Sequence, residues 1–318
     1  MIKLRLMIFL FSVMSTLGFI YKSSDLKEKI LFADVKTAKK LLTSEDQFTE
    51  NWSQFDINSR LRKKNGTKSE LFEYISSQAR DWTEQEKIRL MNVISAISLK
   101  IDSQKFKLNF PSEIIFVKTT GEEEGGAAGY TRSNYIVLKE EILKISDINL
   151  EKLIVHELFH ILSRNDPGFK KEMYQMISFK LCNDVDYPEQ IANMRITNPD
   201  APKNDSYITL EKDGVPVDCM MILYSEKEYD GGEFFNYLKT GLLKVGGEEI
   251  KSIEMENGHP VIFNFKEVTK FFEQVGENTK YIIHPEEVLA DNFVFAADNK
   301  RDLPSQWLVE KIQKKLSE

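Results

Sequence analysis

The densest chemistry in this chain lies in one short run, His156-Glu157-Leu158-Phe159-His160. Two histidines four residues apart on a helix sit one turn apart on the same face, so both imidazoles can reach a single ion. A zinc ion in a hydrolytic site takes three protein ligands and keeps its fourth position open for water. The metal lowers the pKa of that water to about 7, and a nearby carboxylate then takes its proton. Glu157, directly after the first histidine, points to the side of the metal where that water sits. His156 and His160 therefore read as ligands of one zinc ion per chain, and Glu157 as the general base. The chain holds four histidines in all; two of them in one such pattern make a specific signal.

A third ligand must come from elsewhere. His259 and His284 are available, and so is Asp166, shortly after His160. Asp166 would need a turn that Ser163 and Pro167 disfavour. His259 lies in Asn257-Gly258-His259-Pro260, a turn sequence, and His284 precedes Pro285, where it can cap a helix. Glu226 and Asp230 share a helical spacing, but the stretch from Ser225 to Gly232 reads as a solvated turn. Glu287 is the stronger candidate. Pro285 opens a helix, Glu287 falls in its first turn, and Asp291 lies one turn on, on the same face. Glu287 can bind the ion while Asp291 accepts a hydrogen bond from the non-ligating N–H of a ligand histidine, which sets tautomer and ring orientation.

Together the two motifs, His156-Glu157-Leu158-Phe159-His160 and the helical Glu287-xxx-Asp291, resemble the gluzincins, the thermolysin-like zinc metallopeptidases. The resemblance covers these two motifs and not the whole chain. It implies His156, His160 and Glu287 as zinc ligands, Glu157 as the base in peptide-bond hydrolysis, and Asp291 as the support of a histidine. The chain departs from the family pattern twice. The stretch between His160 and Glu287 is far longer than in thermolysin, which implies an inserted subdomain, and Glu286 stands where the family usually has Asn. Such an enzyme also needs a donor to the oxyanion of its tetrahedral intermediate. The family uses a Tyr or His, for which His259, Tyr224 and Tyr281 are the candidates. Zincins present an edge strand that pairs with an extended substrate. Ala127-Ala128-Gly129-Tyr130, leading into Tyr135–Leu138, is the candidate strand, with Tyr130 as a substrate contact.

The elements that must position these residues are visible in the apolar patterning. Leu150, Leu153, Ile154, Leu158, Ile161 and Leu162 give the motif helix its apolar surface. Asp147 or Asn149 can cap its start, and Asn165 to Gly168 stop it. A further helix is expected over Phe169 to Leu181. Ile114–Val117 and Tyr135–Leu138 read as buried strands, with an acidic, glycine-rich loop from Gly121 to Gly129 between them. Upstream, residues 25–104 read as helical. Thr83-Glu84-Gln85-Glu86 is a capping box, and Leu90, Val93, Ile94, Ile97 and Ile101 follow it on one face. From about 182 to 265 strands and loops dominate, with Val215–Tyr224 and Val261–Phe265 the clearest strands. Phe265–Val275, Pro285–Phe295 and the stretch after Pro304 read as helices. The expected class is α+β: a zincin-like catalytic domain over 105–318, built of a small mixed sheet and the active-site helix. It carries a helical N-terminal region over 25–104 and an inserted β-rich subdomain over about 182–265.

Composition bounds the partners. The 318 residues are 42% hydrophobic and 29% charged, with a formal net charge of −7, so a substantial core is available and a nucleic-acid backbone is repelled on average. Lys3 and Arg5 precede an apolar stretch from Leu6 to Ile20, and Thr16-Leu17-Gly18 offers a signal-peptidase site. Residues 1–18 are thus expected to be a signal peptide, or an uncleaved anchor extending to about 21, and the protein to be exported, periplasmic or secreted. It would meet a membrane only if that segment stays uncleaved. Cys182 and Cys219 either pair, as export permits, or are two buried thiols. A peptide or protein is the expected substrate. The same site would serve a zinc-dependent amidase acting on a non-peptide or cell-wall amide, or a non-catalytic exported zinc-binding module. Glu157 speaks against the last, since a structural zinc site needs no base.

Overall fold

The computed structural model describes residues 26–318. The expected leader, residues 1–18, and its anchor alternative lie outside the described residues. The chain is a mixed α+β protein built on two sheets.

The first sheet frames the site. Its strands are Ile30–Phe32 (β1), Ala79–Arg80 (β2), Ile114–Thr119 (β3), Gly129–Arg132 (β4) and Tyr135–Lys139 (β5). β1, β3 and β5 run parallel, β2 is antiparallel to β3, and β4 is antiparallel to β5. The order β1-β3-β5-β4 leaves β4 at an edge. Between these strands lie the helices Val35–Leu42 (α1), Gln47–Glu50 (α2), Gln54–Leu61 (α3), Lys68–Gln78 (α4) and Glu84–Ser103 (α5), followed by the motif helix Asp147–Asn165 (α6). Successive side chains of a strand point to opposite faces. Phe116, Ile136 and Leu138 enter a core shared with α5 and α6, while Val117, Tyr135 and Val137 face Ala38, Leu42, Leu71 and Ile75 of α1 and α4. Burial on both faces is why these strands read as nearly unbroken apolar runs.

The region 25–104 is not wholly helical, because β1 and β2 belong to it and pair with β3. Strands of three and two residues are too short to show a period. α5 opens on the expected capping box of Thr83 and Glu86. α6 is capped by Ser146, whose side chain accepts from the Asn149 N–H, rather than by Asp147 or Asn149; both of those are already helical. Asp166 ends α6 and caps the next helix, Pro167–Met176 (α7), by accepting from the Phe169 N–H.

A second, antiparallel sheet fills the stretch between the two motifs. It comprises Lys180–Leu181 (β6), Ser206–Lys212 (β7), Val215–Tyr224 (β8), Lys239–Gly246 (β9) and Ser252–Ile253 (β10). Met255–Glu256 (β11) and His259–Pro260 (β12) form a separate hairpin, and Ile262–Phe263 (β13) returns to β9. A short helix, Glu189–Ala192 (α8), lies between β6 and β7. One face of this sheet, with Ile208, Leu210, Cys219, Met221 and Leu242, joins the main core. The other carries its own cluster around Met220, Ile222, Leu243 and Val245. The helix expected from Phe265 begins only at Phe271 (α9, Phe271–Val275). Asn264 and Glu267 close a turn on each other's backbone and hold the chain out of a helix there. Pro285–Ala297 (α10) and Gln306–Ser317 (α11) complete the chain, α10 packing against α6 and α11. Cys182 and Cys219 are free thiols, half-buried and buried, so of the two alternatives the structure has the unpaired one. Among those residues no helix is long and apolar enough to cross a membrane.

One buried charge cluster ties the sheet edge to the second unit. Arg60 on α3 donates to Asp56 at 2.5 Å, to Glu124 at 2.8 and 3.0 Å, and to the Thr197 carbonyl at 3.1 Å. The Phe48 and Phe234 rings flank its guanidinium at 5.4 and 5.2 Å. Removing one partner of such a cluster strands the opposite charge, so Arg60→Ala should lower stability by about 3–5 kcal/mol in a urea titration; a loss below about 1 kcal/mol would refute the cluster's role. Beside it, Glu123 accepts from Thr119 and Tyr130 through one oxygen, and burial pushes its carboxyl up to about 7 from 4.5. In that window the folded state holds a proton that the unfolded chain releases. Glu123 therefore makes stability fall as pH rises from about 4.5 to about 7, and level above that. Glu123→Gln should flatten this slope relative to the native protein, as read by thermal melts across the window; an unchanged slope would contradict the assignment.

Candidate metal centre

The centre forms where α6 and α10 meet. α6 is buried from Ile154 through Ser163 except at His156, and α10 is buried over most of its length. Pro285 occupies the first turn of α10, and His284 caps it by accepting from the Glu286 N–H at 3.2 Å. This fixes the direction in which Glu286 and Glu287 leave the helix.

Glu287 Oε2 stands 3.0 Å from His156 Nε2 and 3.6 Å from His160 Nε2. The two imidazoles are one turn apart, with ring centres at 4.8 Å. Donors each about 2.0–2.1 Å from a tetrahedral zinc lie about 3.3 Å from one another, and the observed spacings bracket that value. His160 Nε2 is buried and finds no hydrogen-bond partner among the described residues. A buried ring nitrogen left open toward a carboxylate and a second imidazole is a donor set that suits zinc. His156, His160 and Glu287 thus fit one metal ion with no rearrangement of elements.

The ring nitrogens that face away from this point are held by carboxylates. His156 Nδ1 lies 3.0 Å from Asp291 Oδ1, and Thr279 donates to the other Asp291 oxygen. His160 Nδ1 lies 3.3 Å from Glu286 Oε1, while Ser163 and Tyr174 donate to Glu286 Oε2 at 2.9 and 2.7 Å. Each histidine therefore has its own carboxylate, and Glu286 does at His160 what Asp291 does at His156. The remaining oxygen of Glu287 accepts from Asn198 Nδ2 at 2.7 Å, which turns Oε2 toward the histidines.

These carboxylates set the local charge. Burial pulls His156 down, but Asp291 and Glu287 outweigh it and raise the ring to about 10. Burial likewise opposes the charge on His160, yet Asp200, Glu287 and Glu286 raise it well above its ordinary value. Burial works against ionisation of Glu287, and the two histidines still hold it well below the usual carboxylate range. The site is built to concentrate positive charge, whether borne by protons or by an ion.

Glu157 stands beside this cluster, outside the group formed by His156, His160 and Glu287. Thr131 of β4 donates to its Oε2 at 2.8 Å, and burial, opposed by His160 and His156, raises its carboxyl. A Cβ added to Gly129 would sit 3.3 Å from Glu157 Oε1 and 3.1 Å from the Val137 carbonyl. The edge strand can pass this close because residue 129 has no side chain. The Lys139 N–H bonds to the Ala128 carbonyl, so in the antiparallel ladder Gly129 and Thr131 turn their backbone groups outward. The Thr131 N–H is taken by Asp200 at 2.6 Å. Asp200, Glu157 and His160 form a second close group of donor atoms. Arg164 holds the loop by donating to the Pro199 and Asp200 carbonyls at 2.9 and 2.8 Å. A cleft of about 490 Å³ opens over the cluster, lined by His156, Glu157, Gly129, Asp200, Glu287 and Tyr281, among others.

The other sequence candidates lie elsewhere. His259 is exposed on the β11–β12 hairpin, and Tyr224 packs against the outer cluster of the second sheet; neither lines the cleft, since both belong to the inserted stretch rather than to the α6–α10 junction. The Tyr130 hydroxyl donates to Glu123, and its ring lies in the cluster with α1 and α4, because alternation along β4 sends it to the face opposite Thr131. Asp166 caps α7, and Asp230 receives the Tyr237 hydroxyl in an exposed loop. Tyr281 does line the cleft, its ring centre 6.4 Å from that of His156. Asp200, Asn198, Thr131 and Glu286 escaped the sequence reading. Only Glu286 carried a signal, as the residue standing in place of the family's Asn.

Comparison of the whole chain with family models, with curated proteins and with solved structures returns no match.

His156, His160 and Glu287 could hold an ion, with Asp291 and Glu286 orienting the two histidines. Purified protein reconstituted with zinc should hold about one ion per chain, and Glu287→Ala should lose most of it in a chromogenic-chelator titration. Asp291→Asn and Glu286→Gln should each weaken affinity about 10- to 100-fold, whereas Asp166→Ala and Glu226→Ala should match the native protein. Zinc retained by Glu287→Ala but lost from Asp166→Ala would overturn the ligand set.

Proposed function

We propose that this chain is a zinc-dependent hydrolase, a metallopeptidase of gluzincin type with a zincin-like catalytic domain. The single observation that carries this reading is the convergence of His156, His160 and Glu287 around a His160 Nε2 that makes no hydrogen bond, with the Glu157 carboxylate beside them. When bound, zinc supplies a Lewis acid that polarises a carbonyl and makes water acidic at neutral pH.

The chain's own groups do the rest. Glu157 accepts the proton of the attacking water. Its Oε2 is occupied by the Thr131 hydroxyl, so Oε1, on the Gly129 side, is the oxygen that takes it. The same carboxyl then delivers the proton to the departing amine. Asp291 and Glu286 hold the two imidazoles in the orientation that leaves both Nε2 atoms toward Glu287 Oε2, where His156, His160 and Glu287 would hold the ion. The outward backbone groups of Gly129 give an extended peptide a strand to pair with, and the missing side chain lets the peptide run over Glu157. Tyr281, on the cleft wall, is the candidate hydroxyl for the oxyanion. Export follows from the leader pattern, and a peptide or protein is the substrate.

Glu157→Gln tests the reading. The variant should keep one zinc per chain by elemental analysis and lose about 10²- to 10⁴-fold in the hydrolysis of casein-derived peptides. Turnover at the native rate would exclude Glu157 as the base. A native, zinc-loaded protein inert on peptides but active on small acyl amides would move the assignment to an amidase.

A further inference from the structure

Two groups of donor atoms in the cleft share one residue. His156, His160 and Glu287 form the first, and Glu157, His160 and Asp200 the second, with the donor atoms of each group within 4.8 Å of one another. His160 cannot serve two ions. Its Nδ1 faces Glu286 at 3.3 Å, and Nε2 is the ring nitrogen left without a hydrogen bond. That nitrogen has a single lone pair to give, so both groups surround one ion and not two. We propose that Asp200 is a further, removable ligand of that ion. In the resting protein its carboxylate takes the position that the attacking water needs, and an extended peptide displaces it. The proposal rests on the zinc-hydrolase reading above and gives that site a closed resting state.

The turn that carries Asp200 is held so as to aim it. Asn198 accepts from the Asp200 N–H at 2.9 Å and donates to Glu287 at 2.7 Å, which ties the turn to a ligand of the first group. Arg164, one helical turn after His160, donates to the Pro199 and Asp200 carbonyls. The Thr131 N–H donates to Asp200 Oδ1 at 2.6 Å. Asp200 Oδ2 receives no hydrogen bond among the described residues. A half-buried carboxylate oxygen and a buried imidazole nitrogen, both without partners and close together, are costly unless a cation stands between them.

The same contact closes the edge strand. The Thr131 N–H is one of the outward groups of β4 with which an extended peptide would pair, and Asp200 occupies it. A peptide carbonyl that takes the Thr131 N–H removes the hydrogen bond that holds Asp200 in place. Strand pairing and release of the carboxylate are therefore one event: Asp200 leaves the ion as the peptide settles on β4, and water enters the position it held. The turn has space to move into. Asp200 lines the cleft of about 490 Å³, and Asp200, Ala201, Pro202 and Lys203 also line a separate cavity of about 440 Å³.

The experiment uses the full chain loaded with Co²⁺ in place of zinc, because the visible bands of that ion report how many ligands surround it. Asp200→Asn keeps the shape of the side chain and its acceptor for Thr131 but removes the anionic ligand. The bands of the native protein and of this variant should differ with no substrate present. Acetohydroxamate, which needs the position assigned to Asp200, should shift the bands of Asp200→Asn at a concentration at least about tenfold lower than for the native protein, and zinc affinity should fall about 10-fold or more. Arg164→Gln, which loosens the turn and leaves the carboxylate, should move the hydroxamate response the same way by less. With zinc, Asp200→Asn should raise kcat/KM for a blocked tripeptide amide at least about tenfold. Identical cobalt bands in native protein and Asp200→Asn would make Asp200 a positioning residue at most and overturn the proposal, as would two zinc ions per native chain. An unchanged or lower rate in Asp200→Asn would overturn the closed resting state. Cobalt bands and hydroxamate binding that follow the expected pattern in a protein that cleaves no peptide would support Asp200 as a ligand and overturn the metallopeptidase reading instead.

Discussion

Burying two imidazoles and three carboxylates between α6 and α10 is the constraint on which the rest of the structure turns. A charge taken out of water there costs several kcal/mol unless an opposite charge or a donor meets it. Glu287 meets this demand by facing both histidines with one oxygen and Asn198 with the other. Asp291 and Glu286 take the far ring nitrogens, and Thr279, Ser163 and Tyr174 in turn take their remaining oxygens. The network closes except at His160 Nε2, the one ring nitrogen that points into the cluster without a hydrogen bond. A network paired everywhere but at one ring nitrogen is rigid around that nitrogen, the point at which a metal ion could be held.

That demand explains why the two motif helices are so apolar elsewhere. Leu158, Phe159, Ile161 and Leu162 on α6 and Val288, Leu289, Ala290 and Phe293 on α10 share the largest core cluster with α5 and α11. Dense packing on those faces prevents the helices from sliding, and a shift of about 1 Å would break the convergence on Glu287. The Arg60 cluster does comparable work at the sheet edge, where it holds α3, the Gly121–Gly129 loop and Thr197 in one arrangement.

The long stretch between His160 and Glu287 is not a passive insertion. Its sheet shares the main core through Ile208, Cys219 and Met221, and its approach loop returns Asn198 and Asp200 to the centre, held by Arg164 of the motif helix itself. The same unit supplies an apolar cluster with Leu223, Phe234 and Leu238. Residues far apart in the chain thus meet at one place: the motif helices carry His156, His160 and Glu287, and the intervening stretch brings Asn198 and Asp200 to them.

Much of the centre was legible in the chain because its determinants are local. A helix puts residues four apart on one face whatever surrounds it, so His156, Glu157 and His160 were readable from spacing, as were Pro285 and the Glu287–Asp291 pair. The buried strands β3 and β5 and the capping box of α5 were readable for the same reason. β1 and β2 were not, since so few residues show no period and their partner lies far along the chain. His259 and Tyr224 were chosen for residue type and Tyr130 for its place on the candidate edge strand, and neither signal says where in the fold a side chain is turned. The role of Glu286, the Thr131 contact to Glu157, and the return of Asn198 and Asp200 were decided only by the tertiary structure. Each depends on how two separate elements are packed together, and that packing is a property of the whole core rather than of any stretch of sequence.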